Sequence, residues 1–183
     1  MIELSMVRLI NWYAFSNMTA PVGMFTLVAG QNGNGKSVLL DAIKYGLYGD
    51  SVFNKSTENK GSRTVTSYTR GLLDATAGSY MRPADKVPNV YTHIVLEMYE
   101  KELDRYFILG TVIETNAGNG FVTQRYVMEG KRLFEIEHTY AEGKLLFAYS
   151  ASQLQKKYGF KLLSATEGLG KFMQRTGLRL NEG

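Results

Sequence analysis

The residues Gly30-Gln31-Asn32-Gly33-Asn34-Gly35-Lys36-Ser37 have the types and spacing of G-x-x-x-x-G-K-[ST]. Glycines in such a run let consecutive backbone N–H groups converge on a phosphate without obstruction by side chains. A helix starting there adds partial positive charge at its N-terminus. Lys36 can reach the β- and γ-phosphates of a nucleotide, and the Ser37 hydroxyl is placed to coordinate Mg2+. The chemistry implied is phosphate binding, with ATP and Mg2+ as the expected cofactors.

Hydrolysis needs more: a carboxylate behind the metal and a group that polarises the attacking water, usually at the end of a second buried strand. Ile94-Val95-Leu96-Glu97 is the best formal candidate, but it alternates with polar neighbours, and Glu97 reads more simply as an outward-facing strand residue. A Ser-Gly-Gly type signature loop is not visible. The chain therefore reads as half of an ATPase. With no cysteine, a disulfide scaffold, a thiolate metal site and a cysteine nucleophile are excluded, and two histidines leave little for a multi-histidine metal centre. His93 and His138 fall in extended segments with no spaced partners and are expected to be structural.

The elements that must position the loop are legible around it. Met24 to Ala29 is a short apolar run of the kind a buried strand shows, ending at the glycines. Beyond Lys36, the residues Val38, Leu39, Ala42, Ile43 and Leu47 recur at helical spacing, predicting a helix that stops near Gly46 to Gly49. Upstream, Ile2 to Ile10 predicts a first strand, and the run Asn11-Trp-Tyr-Ala-Phe then leads into a turn. Trp12 and Tyr13 are candidates either for stacking near an adenine or for core packing.

Downstream, 51–90 reads as a polar loop with a short helix around Tyr68. Segments 91–99, 105–115, 121–129 and 132–140 are rich in Val, Ile, Tyr and Phe and are punctuated by Gly118-Asn-Gly, Glu129-Gly-Lys and Glu142-Gly-Lys. They predict an antiparallel meander over 91–149. Ser150 or Ser152 can cap a helix through Tyr158, and a further helical piece covers Thr166 to Arg175 within a helical region at 150–183. The fold class expected is α/β, a single domain over 1–183 with a P-loop strand-loop-helix core in 1–50.

The chain has 183 residues, 44% hydrophobic and 21% charged, which suits one globular core. Its net charge of +4 lies entirely after Tyr149, where Lys156, Lys157, Lys161, Lys171, Arg175 and Arg179 face only Glu167 and Glu182. A basic end of this kind suits either phosphate contact or a solvated helix face. Polar residues break the uncharged run from Leu9 to Gly35 too often for a membrane span, so no membrane anchor is expected.

The run Asn11-Trp-Tyr-Ala-Phe, a spacer, and Gly30-Gln-Asn-Gly-Asn-Gly-Lys-Ser-Val-Leu-Leu-Asp-Ala-Ile-Lys-Tyr-Gly-Leu-Tyr-Gly together resemble the N-terminal head segment of the structural-maintenance-of-chromosomes (SMC) ATPases. Thr66-Ser-Tyr-Thr-Arg-Gly-Leu-Leu resembles the Ser-Tyr-x-Arg-Gly element of the MukB, MksF and JetC branch, in particular the JetC ATPases of Wadjet-type antiplasmid defence. The strong part of the likeness covers about the first third of the chain.

The resemblance implies an ABC-type N-terminal head lobe, with a mixed sheet around the P-loop helix and an antiparallel β-subdomain. Asn32, Gly33, Asn34, Gly35, Lys36 and Ser37, with Val38 closing the run, would bind the nucleotide. Lys36 would neutralise its phosphates and Ser37 would ligate Mg2+. A Q-loop glutamine contacting Mg2+ and water would be Gln174, with Gln124 as the second candidate. Arg63 or Arg70 would reach the nucleotide, or else DNA.

The implied partners are a C-terminal lobe of the same protein carrying the signature motif and following a coiled coil, and a second copy of the head forming a homodimer around ATP. A condensin-like kleisin-type subunit and non-specifically bound double-stranded DNA complete the set, in a cytoplasmic, nucleoid-associated setting. A self-contained P-loop small-molecule kinase is the alternative; the roughly thirty residues before Gly30 and the meander disfavour it.

Overall fold

The computed structural model describes residues 1–22, 33–53 and 63–178. Six strands form one sheet: β1 (Ile2–Trp12), β2 (Phe15–Pro21), β5 (Val90–Glu100), β6 (Arg105–Thr115), β7 (Phe121–Glu129) and β10 (Leu163–Ser164). Their order across it is β10-β7-β6-β5-β1-β2, and every described pairing is antiparallel. Two small hairpins, β3 (Leu72–Asp74) with β4 (Ser79–Tyr80) and β8 (Thr139–Glu142) with β9 (Leu145–Ala148), stand apart from it.

The helices are α1 (Gly33–Tyr48), α2 (Val65–Arg70), α3 (Ala151–Tyr158) and α4 (Ala165–Thr176). The expected 91–149 meander is therefore not a separate layer. Its first three strands extend the sheet that β1 begins, with Ile10 opposite His93 and Thr92 opposite Ile113. The mixed sheet implied for this region depends on the strand expected at Met24 to Ala29, which lies outside the described residues.

Strand alternation explains how one sheet carries two cores. Val7 and Leu9 of β1, Ile94, Leu96 and Met98 of β5, and Leu109 and Ile113 of β6 pack against α1, α2 and Phe172 of α4. Val95, Ile108, Val112, Tyr126 and Met128 point the other way, against Leu133, Ile136 and Leu154. Central strand β5 is buried on both faces from Thr92 to Met98. Its alternating pattern of polar and apolar residues thus codes for two interiors rather than for one core and one wet face.

Two local expectations change. Strand β2 replaces what the sequence suggested was only a turn, because Tyr13 takes a left-handed φ of 50° and brings Phe15 opposite Trp12. The strand expected at 132–140 is broken by a short 3-10 turn at Leu133–Glu135, where the Leu133 amide donates to the Glu97 carboxylate at 2.7 Å. The helix after the P-loop stops within the expected Gly46 to Gly49, at Tyr48, and Gly49 with its φ of 71° makes the left-handed cap. Gly46 instead permits close packing, since a Cβ there would lie 2.6 Å from Ile94 Cγ2 and its absence lets α1 lie close on β5. Ser150, not Ser152, caps α3 through the Gln153 amide.

Candidate nucleotide-binding site

The first turn of α1 carries Gly33, Asn34, Gly35 and Lys36, with no acidic side chain in it to oppose an anion. Lys36 is exposed and Ser37 partly so, while Val38 is in the core. A Cβ at Gly35 would meet nothing within 4 Å among the described residues. Asn32 lies outside the described residues, as do the side chains of Gly33 and Asn34.

The turn is pinned from below. Trp12, fully buried, donates its indole N–H to the Val38 carbonyl at 3.1 Å and stacks on Tyr68 with ring centroids 4.5 Å apart. Core packing is thus the role of Trp12. Tyr13 meets the Tyr68 ring edge-on.

One turn beyond Ser37, on the same helix face, is Asp41, with no exposed surface. Its Oδ2 accepts from the Tyr68 hydroxyl at 2.6 Å and stands 3.9 Å from Arg63 Nη1. Burial and the neighbouring carboxylate push the Tyr68 hydroxyl well above the usual tyrosine range. Asp41 Oδ1 and Arg63 Nη1 are both buried without a hydrogen-bond partner among the described residues. Arg63 immediately precedes Thr64, the N-cap of α2, so the capping box of Thr64 and Ser67 fixes where its side chain emerges. The structure therefore brings Arg63 together with the P-loop helix, and leaves it a donor to spare.

It does not do so for Arg70. That guanidinium, fully buried, donates to the carbonyls of Arg82, Val87, Pro88 and Asn116 and to Asn119 Oδ1. All five of its N–H groups are used, so none remains for a nucleotide or for DNA. The signal that looked functional is a structural clamp between α2 and the loops at Pro88 and Asn116.

The two glutamines also fall away from Lys36 and Ser37. Gln174 is exposed in the last turn of α4, beside Arg175, which binds Glu100 and Glu129 and lies over the Phe107 ring. Those residues mark one end of the sheet, whereas Trp12 and Val38 mark the other; at about 3.3 Å per residue, β5 alone separates the ends by roughly 30 Å. Gln124 alternates with Thr123 and Arg125, whose side chains meet Tyr45 and the carbonyls of α1, so it faces the opposite side of the sheet.

Glu97 is neither a metal carboxylate beside the P-loop nor an outward-facing residue. It is fully buried on the face away from α1, where Ser5 Oγ, Arg132 and the Leu133 amide satisfy it. Among the described residues, no three His, Cys, Asp or Glu side chains gather as a metal site. Among the described residues, the partly exposed Ser37 beside Lys36 remains the candidate to hold Mg2+.

Sequence reasoning missed Arg125 and the histidine pair. Arg125 Nη1 and Nη2 bind the Gly46 and Tyr45 carbonyls at 2.9 and 3.0 Å, capping the C-terminal end of the P-loop helix with a buried cation. Burial lowers its pKa to about 10. His93 and His138 stand with ring centroids 5.1 Å apart, 45 residues apart in the chain, a tertiary contact made through the backbone of Tyr149 that has no local signal.

A family model for the P-loop containing region of AAA domain matches residues 4–60. This match supports a P-loop NTPase N-terminus. Such a region suggests nucleotide binding, and P-loop NTPases generally bind nucleotide together with Mg2+. No curated protein matches the chain.

Proposed function

We propose that this chain is the ATP-binding N-terminal lobe of an SMC-like, ABC-type ATPase head of the MukB, MksF and JetC branch. The observation that carries the reading is Lys36 and Ser37 on the first turn of α1, with Arg63 held beside that helix by Asp41. Lys36 neutralises the β- and γ-phosphates. Ser37 ligates Mg2+, which would offset charge on the phosphates and orient them. Arg63 donates its unused Nη1 proton to a phosphate oxygen, keeping Asp41 as its countercharge.

Glu97 lies on the other face of the sheet, so the carboxylate that orients water comes from a C-terminal lobe of the same protein, and the signature motif of a second copy closes over the γ-phosphate. Head engagement around ATP then drives non-specific binding of double-stranded DNA with a kleisin-type subunit, in a cytoplasmic, nucleoid-associated setting. Lys157 and Arg175 are engaged by Glu137, Glu129 and Glu100, which leaves Lys156, Lys161 and Lys171 as the exposed cations of that region for DNA phosphate.

Steady-state phosphate release tests this. The isolated chain is expected to bind ATP with negligible turnover, and turnover should appear when the second lobe and partner head are supplied. Robust hydrolysis by the chain alone, or phosphoryl transfer to a small-molecule acceptor, would instead favour the kinase.

A further inference from the structure

On the sheet face opposite α1, the β1–β2 hairpin and the segment leading into β8 enclose a cavity of about 330 Å³. Arg8 and Ile10 of β1 and their register partners Thr19 and Asn17 of β2 form one side, with Phe134 and His138 on the other. That volume is within the range of small-molecule sites.

Arg8 is the informative group. Its Nε donates to Thr19 Oγ1 at 2.7 Å, and its Nη1 donates to the Ile136 carbonyl and to His138 Nδ1. The two N–H groups of Nη2 have no acceptor among the described residues, and no ion pair there includes Arg8. No carboxylate makes ion-pair contact with this half-buried guanidinium, Glu97 acting on it only at longer range, so its Nη2 edge is open for an anion to complete. His138 supplies no second charge. Because Arg8 is permanently protonated, Nδ1 must accept, so the network assigns a neutral ring whose Nε2–H donates to Tyr126 Oη at 2.7 Å.

We propose that this cavity binds a small carboxylate through the Nη2 edge of Arg8, with its apolar part against the ring of Phe134. The lining carries one cation, Arg8, and one carboxylate, Glu137, which Lys157 holds at 2.9 Å; a monoanion needs only Arg8 as its partner, whereas the second charge of a phosphate dianion would meet Glu137 uncompensated. Phe134 has Arg132 over its ring at 5.7 Å from the centroid and is still 75% exposed, which leaves apolar surface for an aromatic or aliphatic group. The inference is independent of the P-loop, since α1 packs on the other face.

The test is a two-dimensional NMR titration of the full chain with benzoate, acetate and inorganic phosphate. Benzoate should shift the amides of Thr19, Ile136 and Thr139 saturably. Arg8→Gln should weaken it at least tenfold, Phe134→Ala should weaken benzoate several-fold while sparing acetate, and Glu137→Gln should tighten both carboxylates. Should Arg8→Gln fail to fold, the other two variants, at exposed positions, still decide. The proposal is overturned if benzoate does not saturate, if phosphate binds more tightly than benzoate, or if benzoate affinity is the same in Phe134→Ala and Glu137→Gln as in the parent.

Discussion

Arg63 and Arg70 are seven residues apart in a stretch that reads as uniformly basic and polar, yet their donors are committed differently. Arg63 has a carboxylate 3.9 Å away and an unpartnered Nη1; Arg70 has five acceptors for five N–H groups. Arg63→Gln should therefore weaken ATP binding by about tenfold, the equivalent of about 1.4 kcal/mol, with a smaller effect on stability. Arg70→Lys should cost about 2–4 kcal/mol of folding stability, because an ammonium cannot satisfy the same carbonyls, and should leave ATP affinity in the folded fraction unchanged. Paired urea melts and ATP titrations separate the two outcomes.

His93 titrates near 4, pushed down by burial and by the nearby Arg8 charge, and burial with His93 and Arg8 alongside holds His138 well below the ordinary range as well. A folded-state pKa below the unfolded value of about 6.5 means that the unfolded chain takes up the proton first. This stabilisation is complete above about pH 6.5 and is lost as pH falls toward 4. His93 alone should lower stability by about 2 kcal/mol between pH 7.5 and pH 5. Urea unfolding at the two pH values, with His93→Asn as the control that removes its share of the loss, checks the sign and the size.

At the scale of elements, the seat of α1 on the sheet depends on close approach. Gly46→Ala would place a methyl 2.6 Å from Ile94 Cγ2, in a core closed by Trp12, Tyr45 and Phe53. It should cost about 1–3 kcal/mol and loosen α1, measured as lowered amide-exchange protection in that helix and a weaker ATP titration. Alanine at the exposed Gly170 position of α4, where a Cβ meets nothing within 4 Å, should do neither.

These cases also show where the sequence was legible. The helix after the P-loop, strands β5 to β7 and the cap at Ser150 could be read because periodicity and cap chemistry are local. The broken strand at Leu133 could not, because the Glu97 carboxylate that captures its amide is 36 residues away. Gln174 and Gln124 were plausible by type alone, and sheet parity and the far end of α4 decide against their meeting Lys36. Arg125 was hidden for the same reason: capping of α1 from β7 is a tertiary contact with no sequence signal of its own.

For the whole molecule, one antiparallel sheet separates two chemistries. On one face lie α1, Asp41 and Arg63; on the other lie Glu97, the histidine pair and the Arg8 cavity. Among the described residues no helix is long and apolar enough to cross a membrane. The division explains why Glu97, a strand carboxylate that looks suited to hydrolysis, cannot reach the P-loop, and why nucleotide binding at α1, rather than turnover, is expected of this chain alone.

Calorimetric titration of ATP with Mg2+ into the chain and into its Lys36→Ala variant tests that claim most directly. Backbone donors at the start of α1 and the Arg63 guanidinium remain in the variant, while the Lys36 charge that neutralises the β- and γ-phosphates is gone. The parent should bind one ATP per chain and the variant at least tenfold more weakly, with unchanged thermal unfolding because Lys36 is exposed. Equal affinities for the two proteins, or no binding by either, would contradict the account.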